Sequence, residues 1–362
     1  MTTGQRAARW ASTRPRLSQL GPDVSTPGPI EQLQLLLTER CNLRCTHCAV
    51  PEEDSPAEQE LTGAQWRSFL TRVLDAGVRR IVLSGGEALL RRDCLPLAEH
   101  ALVQGAEAVI IVSNGTVLRR STIDPLSALQ RRWPNLLLHI SIDGATAESH
   151  ELIRGAGTFE RTMAGLARLR AAGGNVAGVH TVVHQANAAE LAQIAELVRE
   201  LGARTWTVFP VASLGRGRDL DAQRLDESQW RVVMDYLTAD HLADLEIGLM
   251  GPTLGDEWRS LDMVPRARSE HSAQAVVGPD GNVFTCPPLR EHTVGTVPEV
   301  LAGRAWAEID AVLRSALGPA CPTCKFRPLC TGVHPDEFVA PTAAFRDPGP
   351  TRIPLPLIIG SR

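Results

Sequence analysis

Cys41, Cys45 and Cys48 stand close together in the run Thr38-Glu39-Arg40-Cys41-Asn42-Leu43-Arg44-Cys45-Thr46-His47-Cys48, a C-x3-C-x2-C spacing. Thiolates are soft ligands suited to zinc and to iron–sulfur clusters. Three close thiolates can hold three irons of a [4Fe–4S] cluster, which normally takes four ligands. The fourth iron is then open to a ligand that is not protein, and an open metal position is what separates reactive sites from structural ones. A zinc knuckle or a disulfide-linked loop fits the same spacing, because zinc sites commonly pair cysteines two to four residues apart.

A second group, Cys286, Cys321, Cys324 and Cys330, lies near the C-terminus, and Cys94 is left alone. Clustered cysteines in a reducing compartment read as metal ligands, not as a disulfide framework. Four suffice for one [4Fe–4S] cluster and equally for a zinc site that stiffens the segment. Cys94, in Arg91-Arg92-Asp93-Cys94, is a possible hydrogen-atom donor, although a lone cysteine more often serves as a small buried hydrophobe.

Three further short motifs offer polar groups of the right kind. Ser84-Gly85-Gly86-Glu87 pairs glycines, which let backbone approach closely, with a carboxylate that can receive an ammonium. Ser113-Asn114-Gly115-Thr116 and Ser141-Ile142-Asp143-Gly144 carry short side chains suited to ribose hydroxyls and carboxylates. Each alone also reads as a plain turn or a helix cap.

Elements that would position these groups are legible in the periodicity. Apolar runs at Leu33–Leu37, Ile81–Leu83, Ala108–Val112, Leu136–Ile142, Val176–Val183 and Thr205–Val211 alternate with helical patterns. Thr62-Gly63-Ala64-Gln65 has capping-box form, and Asn187 with Glu190 offers a similar start. Leu191, Ile194, Ala195, Val198 and Leu201 form the stripe of one buried helix face. Continuous apolar strands alternating with amphipathic helices predict six βα units around a parallel sheet buried on both faces. The glutamate motif and the two serine motifs then close the second, third and fourth strands, at the carboxyl ends where such barrels gather their function.

After Gly215-Arg216-Gly217 the pattern changes. Asp226–Leu237 reads as a helix and Leu245–Met250 as a strand. Gly278-Pro279-Asp280-Gly281 reads as a turn between strands at Gln274–Val277 and Asn282–Thr285, with a strand near Thr293–Val297 and a helix from Pro298 to Leu317 beyond it. The expected organisation is a disordered arm (1–29), the barrel (30–217), a helical linker region (218–268), a cysteine-bearing domain (269–336) and a Pro-rich tail (337–362).

At 362 residues the chain can build one large and one small core. A net charge of -4 and a pI near 6.2 make no electrostatic case for nucleic acid or an anionic membrane. No apolar stretch has the length of a membrane helix, and the arginine-bearing N-terminus has no apolar core of a signal peptide, so a cytoplasmic location is expected.

Taken in order, these motifs resemble the radical S-adenosylmethionine (SAM) superfamily, from about Leu33 to His334. The resemblance implies a partial (βα)6 TIM-like barrel with a small cysteine-rich C-terminal subdomain of SPASM or twitch type. It implies that Cys41, Cys45 and Cys48 hold a [4Fe–4S] cluster whose open iron is chelated by SAM. Glu87 would receive the SAM amino group, with Gly85 and Gly86 along its methionine part. Asn114 would line the pocket, and Ser141 and Arg154 would contact ribose and carboxylate. Ala88 replaces the proline usual after the glutamate. His47 resembles a residue packed between cluster cysteines. Reductive cleavage of SAM would give a 5′-deoxyadenosyl radical that abstracts hydrogen from a substrate C–H bond. The electron would come from a flavodoxin- or ferredoxin-type reductant.

Cys286, Cys321, Cys324 and Cys330 resemble the auxiliary-cluster cysteines, but the full SPASM pattern has seven. His271 and His334 stand near two of the missing positions, which leaves one four-cysteine cluster as the simplest expectation and three cysteines plus a histidine as the other. SPASM-type relatives mostly modify ribosomally made peptides by cross-link, thioether or epimerisation. Twitch-type relatives include a small-molecule alcohol dehydrogenase and the cyclase of molybdopterin synthesis. Segment 1–29 is too short for the winged-helix recognition domain of many peptide maturases, and the C-terminus lacks the Gly-Gly of the molybdopterin cyclase. The expectation is peptide maturation, with dehydrogenation of a sugar or aminocyclitol as the alternative. A metal-stabilised binding module is the non-enzymatic reading.

Overall fold

The computed structural model describes residues 30–48, 60–211, 215–249, 274–284 and 293–315. Six apolar runs form the expected parallel strands: β1 (Gln32–Leu36), β2 (Arg80–Ser84), β3 (Ala108–Ser113), β4 (Leu136–Ser141), β5 (Gly178–Val183) and β6 (Thr205–Pro210). Helices alternate with them: α1 (Gly63–Asp75), α2 (Cys94–Val103), α3 (Arg120–Arg132), α4 (Ala147–Arg154), α5 (Thr158–Ala171) and α6 (Leu191–Glu200). A seventh strand, β7 (Glu246–Leu249), follows α7 (Glu227–Thr238) and pairs parallel with β6.

Alternation decides which face each strand residue serves. Leu33 and Leu35 of β1 and Leu37 just after it, with Ile81, Leu83, Val109 and Ile111 beside them, belong to the core that the helices cover. Leu138 and Ile140 do the same on β4, which leaves His139 and Ser141 on the other face of the sheet.

Local signals set the helix boundaries. Thr62 and Gln65 form the expected capping box, the Gln65 N–H donating to Thr62 Oγ1 and the Thr62 N–H to Gln65 Oε1. Such a cap is worth about 1 kcal/mol. It points Trp66, Phe69, Leu70 and Val73 into the core. Asn187 stands at the start of a 3-10 turn (Ala188–Glu190) that leads into α6, but its side chain makes no cap hydrogen bond. Its amide is fully buried and donates to the carbonyls of Asp143 and Val182, and α6 begins only at Leu191.

The expected hairpin forms, and it continues the barrel sheet. Strand β8 (Gln274–Val277) pairs parallel with β1, and β9 (Asn282–Phe284) and β10 (Gly295–Thr296) follow antiparallel. The order is β10-β9-β8-β1-β2-β3-β4-β5-β6-β7 in one ten-stranded sheet. Val276 and Phe284 meet Leu36 in a small apolar cluster separate from the helix-covered core. Gly281, at φ 87, closes the turn. The helix expected from Pro298 to Leu317 is two, α8 (Val297–Leu301) and α9 (Trp306–Ser315), separated by Gly303 at φ 111. Trp306 packs edge-on against Phe69 of α1, with ring centroids 5.9 Å apart. The arm, the tail, most of the 218–268 linker beyond Leu249, and Cys286, Cys321, Cys324, Cys330, His271 and His334 lie outside the described residues.

Candidate cluster and cofactor site

The cysteine loop leaves β1 at the carboxyl edge of the sheet. Cys41 is exposed, Cys45 buried and Cys48 half-buried. The loop is tied down at several points. The Thr46 N–H donates to the carbonyl of Ile153 at 2.8 Å, and the Cys48 N–H to that of Cys45 at 3.2 Å. The Cys41 sulfur accepts the Leu43 N–H at 3.4 Å and faces the Asn114 amide at 3.8 Å.

Burial pushes the Cys45 thiol up to about 11 against the pull of Arg154, and the neighbouring Asp143, Cys48 and Cys41 charges add to the rise. The Cys41 thiol is also pushed up, first by loss of hydration, with Glu87 and Cys48 adding to it and the Leu43 N–H opposing. Two thiols that burial keeps from ionising suit a cationic centre, because metal binding supplies the charge that lets them deprotonate. Among the described residues, no three His, Cys, Asp or Glu side chains converge on one single-ion position. The donor set fits a multi-iron group in its chemistry: three thiols on one loop, with hydrogen-bond donors at one of the sulfurs.

The Gly-Gly-Glu turn is built onto this loop. The Gly86 N–H donates to the Thr38 carbonyl at 2.7 Å and the Glu87 N–H to the Arg40 carbonyl at 2.9 Å. A Cβ on Gly85, whose φ is +134, would come within 2.3 Å of the Thr38 oxygen, and one on Gly86 within 2.4 Å of the Glu39 oxygen. Paired glycines are therefore what allow the β2 turn to lie against the three residues that lead into Cys41. Glu87 is buried, its carboxylate accepting the N–H groups of Leu89 at 3.2 Å and Asn114 at 2.8 Å. Burial pushes it up to about 7, more than the Asn114, Ser113 and Leu89 hydrogen bonds can offset. Three accepted hydrogen bonds still leave a lone-pair site for a further donor.

Asn114, at the end of β3, serves the loop. Its Nδ2 donates to Asn42 Oδ1 at 3.0 Å, and its Oδ1 accepts from the N–H and hydroxyl of Thr116. Ser141 is half-buried at the end of β4, in register with His180 on β5. Arg154, the last residue of α4, is nearly buried, and its Nε donates to Asp143 Oδ2 at 2.5 Å. Its terminal nitrogens make no hydrogen bond among the described residues. Burial acts to raise the Asp143 carboxyl, but Arg154, then His47 and His150, hold it at about 2. His47 lies 3.9 Å from the same oxygen, and burial lowers it to about 4, so it is neutral near pH 7.

A family model described as the radical SAM superfamily matches residues 35–198, which contain this whole constellation. Residues 35–198 thus carry a radical SAM domain. Proteins of that superfamily use a [4Fe–4S] cluster and SAM. Over 188 residues the chain is 38% identical to an AdoMet-dependent heme synthase of Methanosarcina barkeri, covering 51% of this chain and 52% of that protein. The chain thus spans about half the length of curated relatives of this kind. It is 28% identical over 297 residues to a PqqA peptide cyclase of Ruegeria pomeroyi, 77% of this chain and 72% of that one. Streptococcus suis SuiB, solved with its precursor peptide SuiA, shares the fold at a TM-score of 0.66 and 15% identity, over 90% of this chain and 75% of SuiB.

Within the radical SAM domain, Cys94 stands apart from the site. It opens α2, is fully buried and belongs to the helix-covered core, where burial pushes its thiol up. Two features were not read from the sequence. His139 Nδ1 and His180 Nε2 are 3.0 Å apart, and the close fit of the His139 ring against Gly178 leaves no room for a Cβ there. Arg216 reaches the cysteine loop from beyond β6, donating from Nε to the Cys45 carbonyl at 2.8 Å. The only sequence signal for it is an arginine between two glycines where the βα pattern ends.

Proposed function

We propose that this protein cleaves SAM reductively and uses the product to abstract hydrogen from a C–H bond of a peptide substrate. When bound, the cluster and SAM together supply one-electron cleavage and hydrogen abstraction. Cys41, Cys45 and Cys48 hold the cluster. Glu87 receives the amino group on its remaining lone-pair site, beside Gly85 and Gly86. The terminal nitrogens of Arg154 meet the carboxylate, with Asp143 fixing the guanidinium from behind. Asn114 orients the loop next to Cys41, and Ser141 faces the ribose. The covered faces of the sheet exclude water from the radical step. Cys286, Cys321, Cys324 and Cys330 hold one auxiliary [4Fe–4S] cluster that accepts the electron left on the substrate. A flavodoxin- or ferredoxin-type protein supplies the starting electron.

One observation carries this reading: the Gly-Gly-Glu turn, Asn114 and the cysteine loop are hydrogen-bonded to one another at the carboxyl ends of β1, β2 and β3. Peptide as substrate draws support from the peptide cyclase and from the SPASM-type cysteine pattern. A small-molecule substrate is the second reading, favoured by the identity to a heme synthase. Precursor-like short peptides encoded beside the gene decide for the first, and sugar or tetrapyrrole enzymes for the second. No described helix is long and apolar enough to cross a membrane.

The test is anaerobic reconstitution followed by dithionite and SAM. Formation of 5′-deoxyadenosine is expected, abolished in Cys45→Ala and partly retained in Cys324→Ala. Bound zinc with no 5′-deoxyadenosine would instead show a metal-stabilised binding module.

A further inference from the structure

The chain beyond β6 turns back onto the cysteine loop. Gly215, at φ 51, opens a short 3-10 turn over Gly215–Asp219. From this turn the Arg216 N–H donates to the Cys48 carbonyl at 3.0 Å, and its side-chain Nε donates to the Cys45 carbonyl at 2.8 Å. A single residue thus holds the backbone of two of the three loop cysteines. The turn is itself braced, because Arg224 donates to the Gly217 carbonyl at 3.0 Å and pairs with Asp221 at 2.5 Å. On its opposite side the loop is fixed by Thr46 to Ile153 of α4. The Cys45–Cys48 segment is therefore strung between two parts of the barrel that are far apart in sequence.

We propose that Arg216 is a positioning residue for the cluster, clamping Cys45 and Cys48 through its two donors and favouring cluster reduction through its charge. The proposal rests on the reading that Cys41, Cys45 and Cys48 hold a [4Fe–4S] cluster. Reduction adds one negative charge to the cluster, and a cation held nearby stabilises that state more than the oxidised one. Nε is committed to the loop carbonyl, so the guanidinium cannot swing away into solvent. Lysine keeps the charge but has no Nε–H in the same place, and it offers a compact ammonium instead of a planar fork.

Wild type, Arg216→Gln, Arg216→Lys and Arg224→Gln are reconstituted anaerobically with iron and sulfide. Iron release to a ferrous chelator and the midpoint potential by EPR-monitored redox titration are then measured without substrate. Arg216→Gln should release iron about tenfold faster, the low end for loss of an outer-shell contact, and its potential should shift negative. Arg216→Lys should keep the potential near wild type yet release iron as fast as the Gln variant. Arg224→Gln, which only unbraces the turn, should accelerate release less, and it carries the comparison with Arg216→Lys if Arg216→Gln does not fold. Wild-type release and potential in Arg216→Gln overturn the proposal, as does an Arg216→Lys variant that matches wild type in both. A wild type that takes up no [4Fe–4S] cluster overturns the underlying reading and the proposal together.

Discussion

The carboxylate of Glu87 accepts the backbone N–H of Asn114 at 2.8 Å. That bond joins the turn after β2 to the end of β3, and the Asn114 side chain continues the connection to Asn42 in the cysteine loop. A buried acid, a strand end and the cluster loop are therefore joined by one chain of hydrogen bonds. Disturbing Glu87 should be felt at the cysteines before any cofactor binds.

Burial raises Glu87 from 4.5 to about 7. A group raised on folding contributes stability that is fully present below its unfolded value and lost as pH rises through the folded one. The cofactor-free protein should thus lose on the order of 3 kcal/mol between about pH 4.5 and 7 through this group alone. Glu87→Gln removes the titration, so its stability relative to wild type should rise across that window. Urea unfolding of both proteins at several pH values measures the difference, and a constant gap would mean that Glu87 stays ionised throughout.

Gly86 tests the packing of the turn on the loop. A Cβ there would lie 2.4 Å from the Glu39 oxygen and 2.5 Å from the Arg40 oxygen, backbone atoms that have no rotamer to yield. Gly86→Ala should cost about 1–3 kcal/mol by overpacking and should displace the chain just ahead of Cys41. A lower melting temperature together with reduced iron loading is the expected pair of results. Unchanged iron loading would mean that the loop absorbs the shift before it reaches the cysteine.

Much of this arrangement was legible because it is local. The six apolar runs, the Thr62–Gln65 cap and the order of motifs along the chain each depend on residues a few positions apart. What escaped is long-range. Asn187 resembles a cap with Glu190 three residues on, yet its amide is drawn to the carbonyls of Asp143 and Val182 at the ends of two strands. The β8–β9 hairpin is a local signal, but its docking beside β1 depends on Leu36 meeting Val276 and Phe284, pairings that no sequence spacing encodes. Arg216 contacts Cys45 across a separation of 171 residues. The stretch after Pro298 reads as one helix because Gly303 is compatible with both a helix interior and the positive φ that ends it.

The Asp143–Arg154 pair gives the sharpest stability test, because both groups are buried and both adjoin the cysteine loop. Replacing Asp143 with Asn leaves the Arg154 guanidinium buried without its carboxylate, a change that typically costs about 3–5 kcal/mol. The acid response has the opposite sign to that of Glu87. Asp143 is held at about 2, below its ordinary 3.8, so its contribution is present above pH 4 and lost as pH falls through 2. Wild type should therefore lose on the order of 2 kcal/mol more than Asp143→Asn between pH 4 and 2. Arg154 also opposes the rise of the Cys45 thiol, so with Asp143 gone its full charge acts on that sulfur. Alkylation of Cys45 in the metal-free variant should then be faster than in wild type at pH 8, whereas an equal or slower rate would show that Arg154 swings away from the loop once it loses its partner.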